Sequence, residues 1–120
     1  MPQRIQQRRT KGWRKPEGAV AVGRGTKWGN PVRIISERPG GPFNLERDGV
    51  GFIASHADIA SARTSAARRL RDLVHLGLAP SIDEIRAELA GKDLMCWCPL
   101  DQPCHADVLL ELANPPSEEA

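Results

Sequence analysis

The stretch DLMCWCPLDQPCHADVLL, residues 93–110, holds all three cysteines of the chain and one of its three histidines within ten positions. Crowding of sulfur on that scale constrains the fold, because the backbone must double back on itself wherever the thiols act together. Read as a strand over residues 94–98, the segment places alternate side chains on one face. Cys96 and Cys98 then point the same way, and Trp97 points the other way, into the core or toward a partner. The PLDQP connection, bracketed by two prolines, returns Cys104 and His105 to the first pair. Both sit where a last helix, Ala106 to Leu112, begins, and the partly positive amide end of a helix stabilises a thiolate. Three soft sulfurs and an imidazole form a tetrahedral donor set suited to Zn²⁺. The expected ligands are Cys96, Cys98, Cys104 and His105.

The spacing C-x-C-x5-C-H departs from common zinc patterns, and consecutive side chains diverge at a helix start. Two other readings therefore stand beside zinc: a thiol-based active site, with Cys104, His105 and Asp107 as catalytic candidates, and plain buried cysteines. A zinc deaminase needs H-x-E and P-C-x-x-C; Pro103-Cys104 begins the second motif and nothing completes it, which excludes that chemistry.

Composition narrows the setting. A chain of 120 residues, 40% hydrophobic and 27% charged, is one ordinary globular domain with room for one modest core. An odd number of cysteines suits a metal or catalytic site in a reducing compartment better than disulfides. No apolar run is long enough for a membrane span, and the basic N-terminus lacks the apolar stretch of a signal peptide, so the expected location is the cytoplasm. With no Tyr, two Phe and three Trp, the core gains from a metal as a second source of stability. Residues 1–33 carry nine Lys or Arg against Glu17 alone, whereas the remainder is acidic. An electropositive first quarter fits a phosphate-bearing partner, and equally a solubilising tail.

Along the chain, residues 1–9 read as a flexible basic arm, residues 10–114 as a single α/β domain and residues 115–120 as a disordered tail. Ala19 to Val22, Val32 to Ser36 and Val50 to Ala54 read as strands. The Pro/Gly-rich ERPGGPFNLERDG between the last two, ending in Asp48-Gly49, predicts an antiparallel pair or meander. Ile59, Ala62, Ala66, Leu70, Leu73 and Val74 then recur at helical steps up to Gly77. Ser81-Ile82-Asp83-Glu84 matches a capping box opening a second helix that ends at Gly91. The expected architecture is a small α/β domain of two or three layers, with an antiparallel hairpin and about three helices.

A second unusual stretch, VGRGTKWGNP, residues 22–31, follows the first predicted strand. Its glycines allow backbone to approach a ligand, Arg24 and Lys27 bring charge, Trp28 offers a stacking face, and Thr26 and Asn30 add polar groups. Together these suggest a nucleotide or nucleic-acid base with its phosphate. The segment leads into a strand and lacks Gly-Lys-Ser/Thr, so it is neither a dinucleotide fingerprint nor a P-loop. The alternative is a structural loop in which Trp28 plugs the core. Ligands collect at the carboxyl ends of parallel strands. If the strands before residues 24–30 and 96–105 are parallel neighbours, the two stretches face each other across one cleft.

GRGTKWGNP near the start and LAGKDLMCWCPLDQPCHADVLLELAN near the end resemble a bacterial and phage family, domain of unknown function 4326. Its members carry G-R-x-[ST]-x-W-G-N-P and G-K-x-L-x-C-W-C-x(n)-C-H-x-D-V-L. The resemblance spans roughly residues 10–114. Arg24, Thr26, Trp28, Gly29, Asn30, Pro31, Cys96, Cys98, Cys104, His105 and Asp107 occupy motif positions. It supports a site without naming a reaction. The leading expectation is a zinc-binding module for nucleic acid or nucleotides. The alternatives are an enzyme acting on a nucleotide or base through the Cys/His cluster, and a zinc-supported protein-interaction domain.

Overall fold

A computed structural model describes residues 2–36 and 38–115. Its strands are β1 (Arg4–Gln6), β2 (Val20–Ala21), β3 (Val32–Ser36), β4 (Phe43–Arg47), β5 (Gly51–His56) and β6 (Leu94–Cys96). Its helices are α1 (Ile59–His75), α2 (Ile82–Leu89) and α3 (His105–Ala113). The expected mixed α/β domain with three helices is what forms. The strands divide into a parallel sheet of order β1-β6-β2 and an antiparallel meander β3-β4-β5.

Helix α1 joins the two sheets. Its stripe of Ala62, Ala66, Ala67, Leu70, Leu73 and Val74 is buried. Ala62, Ala66 and Leu73 pack on the meander with Val32 and Leu45. Ala67, Leu70 and Val74 pack with Val22, Ile85, Leu94 and Leu109 of the other layer. Alanines at the centre of the stripe let backbone approach closely, and one of their carbonyls becomes a hydrogen-bond acceptor for the loop described below. Asp58 caps α1 by accepting from the Ser61 N–H at 2.8 Å. Ser81 caps α2 by accepting from the Glu84 N–H at 3.1 Å, as the capping-box signature predicts.

Two strands depart from the sequence reading. Residues 4–6, expected within a flexible arm, form β1, which pairs in parallel with β6 (Arg4↔Leu94, Ile5↔Met95, Gln6↔Cys96). Three polar-apolar-polar residues carry no strand signal of their own; an open edge of β6 makes the strand. Phe43–Arg47, expected as part of a turn-rich connection, forms β4, with Leu45 fully buried. Its alternation of Phe43 and Leu45 with Asn44 and Glu46 is a two-residue period, hidden by the glycines and prolines around it. Asp48 and Gly49 do turn the chain, between β4 and β5, and of the antiparallel pair or meander expected there it is the three-stranded meander that forms. The strand read over residues 94–98 ends two residues early, at Cys96. The tail predicted over residues 115–120 lies, apart from Pro115, outside the described residues, as does Met1 of the predicted arm. No helix among the described residues is long and apolar enough to cross a membrane.

A candidate metal centre at the head of a cationic cleft

β2 and β6 are parallel neighbours, with Val20 opposite Leu94 and Ala21 opposite Met95. The chains leaving their carboxyl ends therefore face each other, as expected for the two unusual stretches. Between them and the meander lies a cleft of about 540 Å³, lined among others by Arg24, Arg33, Arg63, Trp97 and all three cysteines.

The cysteines converge by simple chain mechanics. Cys96 ends β6, buried among the core residues. Pro99 has no N–H to continue a ladder, and its carbonyl accepts from the Gln102 N–H at 3.2 Å to close a turn. Cys104 is then the extended residue that caps α3, and Asp107 accepts from its N–H at 3.1 Å. The sulfurs of Cys96, Cys98 and Cys104 all lie within 4.8 Å of one another, and the Cys96–Cys104 pair is 3.2 Å apart. Zinc at about 2.3 Å from each of three tetrahedrally placed thiolates sets sulfurs roughly 3.8 Å apart. The donor set fits a soft divalent ion in both chemistry and scale.

His105, expected as a fourth ligand, lies outside this cluster. Its Nε2 meets the Val22 carbonyl at 2.5 Å and its Nδ1 lies 3.6 Å from the Cys104 sulfur. Its contact is with the Cys104 sulfur, and it is not among the donors that all lie within 4.8 Å of one another. The ring instead braces the sulfur from outside and ties α3 to the end of β2. Burial opposes a proton on His105, but the Cys104 sulfur and the Val22 carbonyl outweigh it and raise its pKa.

The three thiols differ electrostatically. Hydrogen bonds from Cys96 and Cys98, against the pull of burial and with help from His105, hold Cys104 well below the ordinary thiol range. Sharing with Cys104 pushes Cys96 and Cys98 upward. Cys104, at the amide end of α3, is therefore the sulfur that ionises first.

Sequence reasoning missed Arg4, whose side chain is only 8% exposed. Its Nη2 donates to the Leu100 and Gln102 carbonyls at 3.0 and 2.7 Å, and its Nε pairs with Asp107 at 3.3 Å. Nη1 is buried without a partner. Burial disfavours the charge, yet Asp107 and the Cys104 and Cys96 sulfurs hold the guanidinium above its usual range. Arg4 thus clamps the turn carrying Cys104 and places a positive charge beside a cluster that is negative once metallated. No local signal marks it, since its partners stand more than ninety residues away.

The glycine-rich loop follows the alternative reading, a structural loop with Trp28 as a plug, and not the base-and-phosphate reading. Trp28, expected to stack a base, is 6% exposed and packs in the core. Asn30, expected to read a base edge, is 8% exposed; its Nδ2 donates to the Ala66 carbonyl at 3.0 Å and its Oδ1 accepts from the Val32 N–H at 2.9 Å. Thr26 donates to the Gly23 carbonyl at 2.7 Å. Lys27 pairs with Glu84 and Glu88 on α2 and lies 4.9 Å from the Trp28 ring centre. Gly29 is required by packing rather than by a ligand: a Cβ there would meet the Gly23 carbonyl at 3.0 Å. Of the expected loop contacts only Arg24 offers an exposed charge to the cleft, where its guanidinium also pairs with Asp48 at 3.6 Å.

The family model for a domain of unknown function (DUF4326) matches residues 5–115. The chain belongs to the DUF4326 family. That match runs from within β1 to two residues past α3, so the core of the parallel sheet and the sulfur turn lie inside the DUF4326 domain. No curated protein and no solved structure matches the chain.

Proposed function

We propose that this DUF4326 protein is a zinc-binding domain that receives a nucleotide or nucleic-acid segment by its phosphate. The observation that carries the reading is one cleft bordered at once by three mutually adjacent cysteines and by Arg24, Arg33 and Arg63. Thiolate donors favour zinc among common divalent ions. When bound, zinc supplies Lewis acidity and a position not taken by protein. The chain's own residues do the rest. Arg4 holds the ligand turn, His105 orients Cys104, and the cleft arginines supply the field that attracts an anion.

An enzyme acting on the nucleotide is the second reading, favoured by the count of three sulfurs. Three protein ligands leave a tetrahedral ion one position short, as in catalytic zinc sites. Against it, the candidate acid-base groups are already engaged: His105 with Val22 and Cys104, and Asp107 with Arg4 and the Cys104 amide. Binding is therefore the better-supported function.

The test is mass-spectrometric metal analysis of anaerobically purified protein, followed by nucleotide titration of the loaded form. About one zinc per chain and nucleotide binding weakened by salt are expected. Absence of any stoichiometric transition metal overturns the reading.

A further inference from the structure

The cleft is lined by cations and by one exposed aromatic. Among the cations, Arg63 lines it from α1, and its Nε is buried without a hydrogen-bond partner. Arg24 and Arg33 differ, since both pair with Asp48 at 3.6 and 3.1 Å. A guanidinium nitrogen shielded from water and unpaired is unfavourable until an acceptor arrives, so Arg63 is where an incoming anion gains most.

The aromatic, Trp97, stands between two of the cysteines in sequence and lines the same cleft while 47% exposed. A side chain at Gly23 would stand 3.7 Å from its ring, so a glycine there keeps that flank open. Arg9, an exposed residue, holds its guanidinium 4.6 Å from the ring centre. The ring face thus accepts a flat group, and an exposed side chain is displaced by a base, which stacks more strongly than a solvated cation.

We infer that the cleft holds one nucleotide unit, its phosphate on Arg63 beside the cysteine centre and its base stacked on Trp97. The inference rests on the phosphate-binding reading above and names which residues and which ligand size serve it. A volume of about 540 Å³ lies within the range of single small-molecule sites and excludes a duplex. Trp97 takes the role that the sequence offered to Trp28.

The experiment uses zinc-loaded full chain and isothermal titration with nucleoside monophosphates, the matching nucleosides, inorganic phosphate and single-stranded 12-mers. Arg63→Ala is expected to weaken monophosphate and inorganic phosphate at least tenfold and to leave nucleoside binding unchanged. Trp97→Ala is expected to weaken monophosphate and nucleoside by about tenfold, in line with one lost stacking contact, and to leave inorganic phosphate unchanged. Trp97→Phe restores most of that loss, and Arg63→Lys restores part of the phosphate affinity, which also covers the case of an alanine variant that does not fold. Equal affinity for monophosphate and 12-mer assigns a free nucleotide; a tighter 12-mer assigns a nucleotide unit within a strand. Wild-type binding that both alanine variants retain overturns this inference and leaves the proposed function standing. A wild type that binds none of the probes overturns both.

Discussion

Two regions of this molecule look equally functional in sequence, and they are used in opposite ways. Residues 22–31 combine glycines, cations, an aromatic and an amide, yet nearly every one of those side chains is spent on the fold: Trp28 in the core, Asn30 bridging α1 to β3, Lys27 on α2. Residues 96–105 turn their chemistry toward a cleft, with three sulfurs together and Trp97 exposed beside them. The contrast is set by geometry. A loop that must cross from a parallel sheet to an antiparallel one needs internal hydrogen bonds and a plug. A strand end followed by a helix start delivers side chains to a carboxyl-end cleft without needing them for itself.

The comparison breaks most sharply under chelation. If the sulfur region holds a structural ion, removing zinc with a strong chelator lowers the melting temperature by about 15 °C or more, because metal-binding energy is also folding energy. Cys96→Ser has the same effect without chelator. A melting curve indifferent to both would return the cysteines to ordinary core residues.

Trp28→Ala tests the other region. Its burial predicts a loss of about 3–5 kcal/mol of stability, as for large aromatic truncations in cores. The fraction that folds keeps its metal and its nucleotide affinity, since Trp28 is neither one of the sulfur donors nor a lining residue of the cleft. Calorimetric melting and titration on one sample separate the two effects. A stable variant with lost affinity would place Trp28 in the site after all.

Arg4→Ala links the regions' logic, because the residue is structural in its hydrogen bonds and electrostatic in its position. Zinc affinity, measured by competition with a chromophoric chelator, is expected to fall about 10–100-fold, the usual effect of losing an outer-sphere partner. Substituting cobalt supplies a readout that a fold defect alone would not move: the thiolate-to-metal charge-transfer band shifts when a nearby cation is removed. Unchanged affinity and an unchanged band would reduce Arg4 to a loop clamp.

How far the sequence foretold these features follows from the range of the interactions. α1 and α2 were legible because caps at Ser81 and the stripe from Ala62 to Val74 are local signals. The cysteine cluster was legible because chain turns of a few residues decide it. β1 was not, since Arg4 to Gln6 become a strand only against the edge of β6. Trp28 was ambiguous in principle: a tryptophan among glycines reads alike whether it faces in or out, and only the packing of Leu70, Ile85 and Leu89 around it decides. For His105 the donor type is visible in sequence, whereas the direction of the ring, with Nε2 on the Val22 carbonyl, is not.

Lys27→Ala carries the smallest expected effect and sharpens the comparison from its weak end. Lys27 was a phosphate-contact candidate by composition, but its ammonium pairs with Glu84 and Glu88, all three side chains being well exposed. Exposed ion pairs are screened by solvent and the lysine must be held in one rotamer, so they contribute little net stability. The contact of the ammonium with the Trp28 ring is screened in the same way and adds little. Melting of Lys27→Ala is therefore expected to stay within about 3 °C of wild type. Nucleotide affinity and its salt dependence are expected to be unchanged, because the charge faces α2 and not the cleft. Were the loop the phosphate site, the same variant would lower the salt slope by about one counterion. A slope reduced in Lys27→Ala and intact in Arg63→Ala would reverse the assignment of the two regions, and a slope that behaves the other way fixes the anion at Arg63 in the cleft.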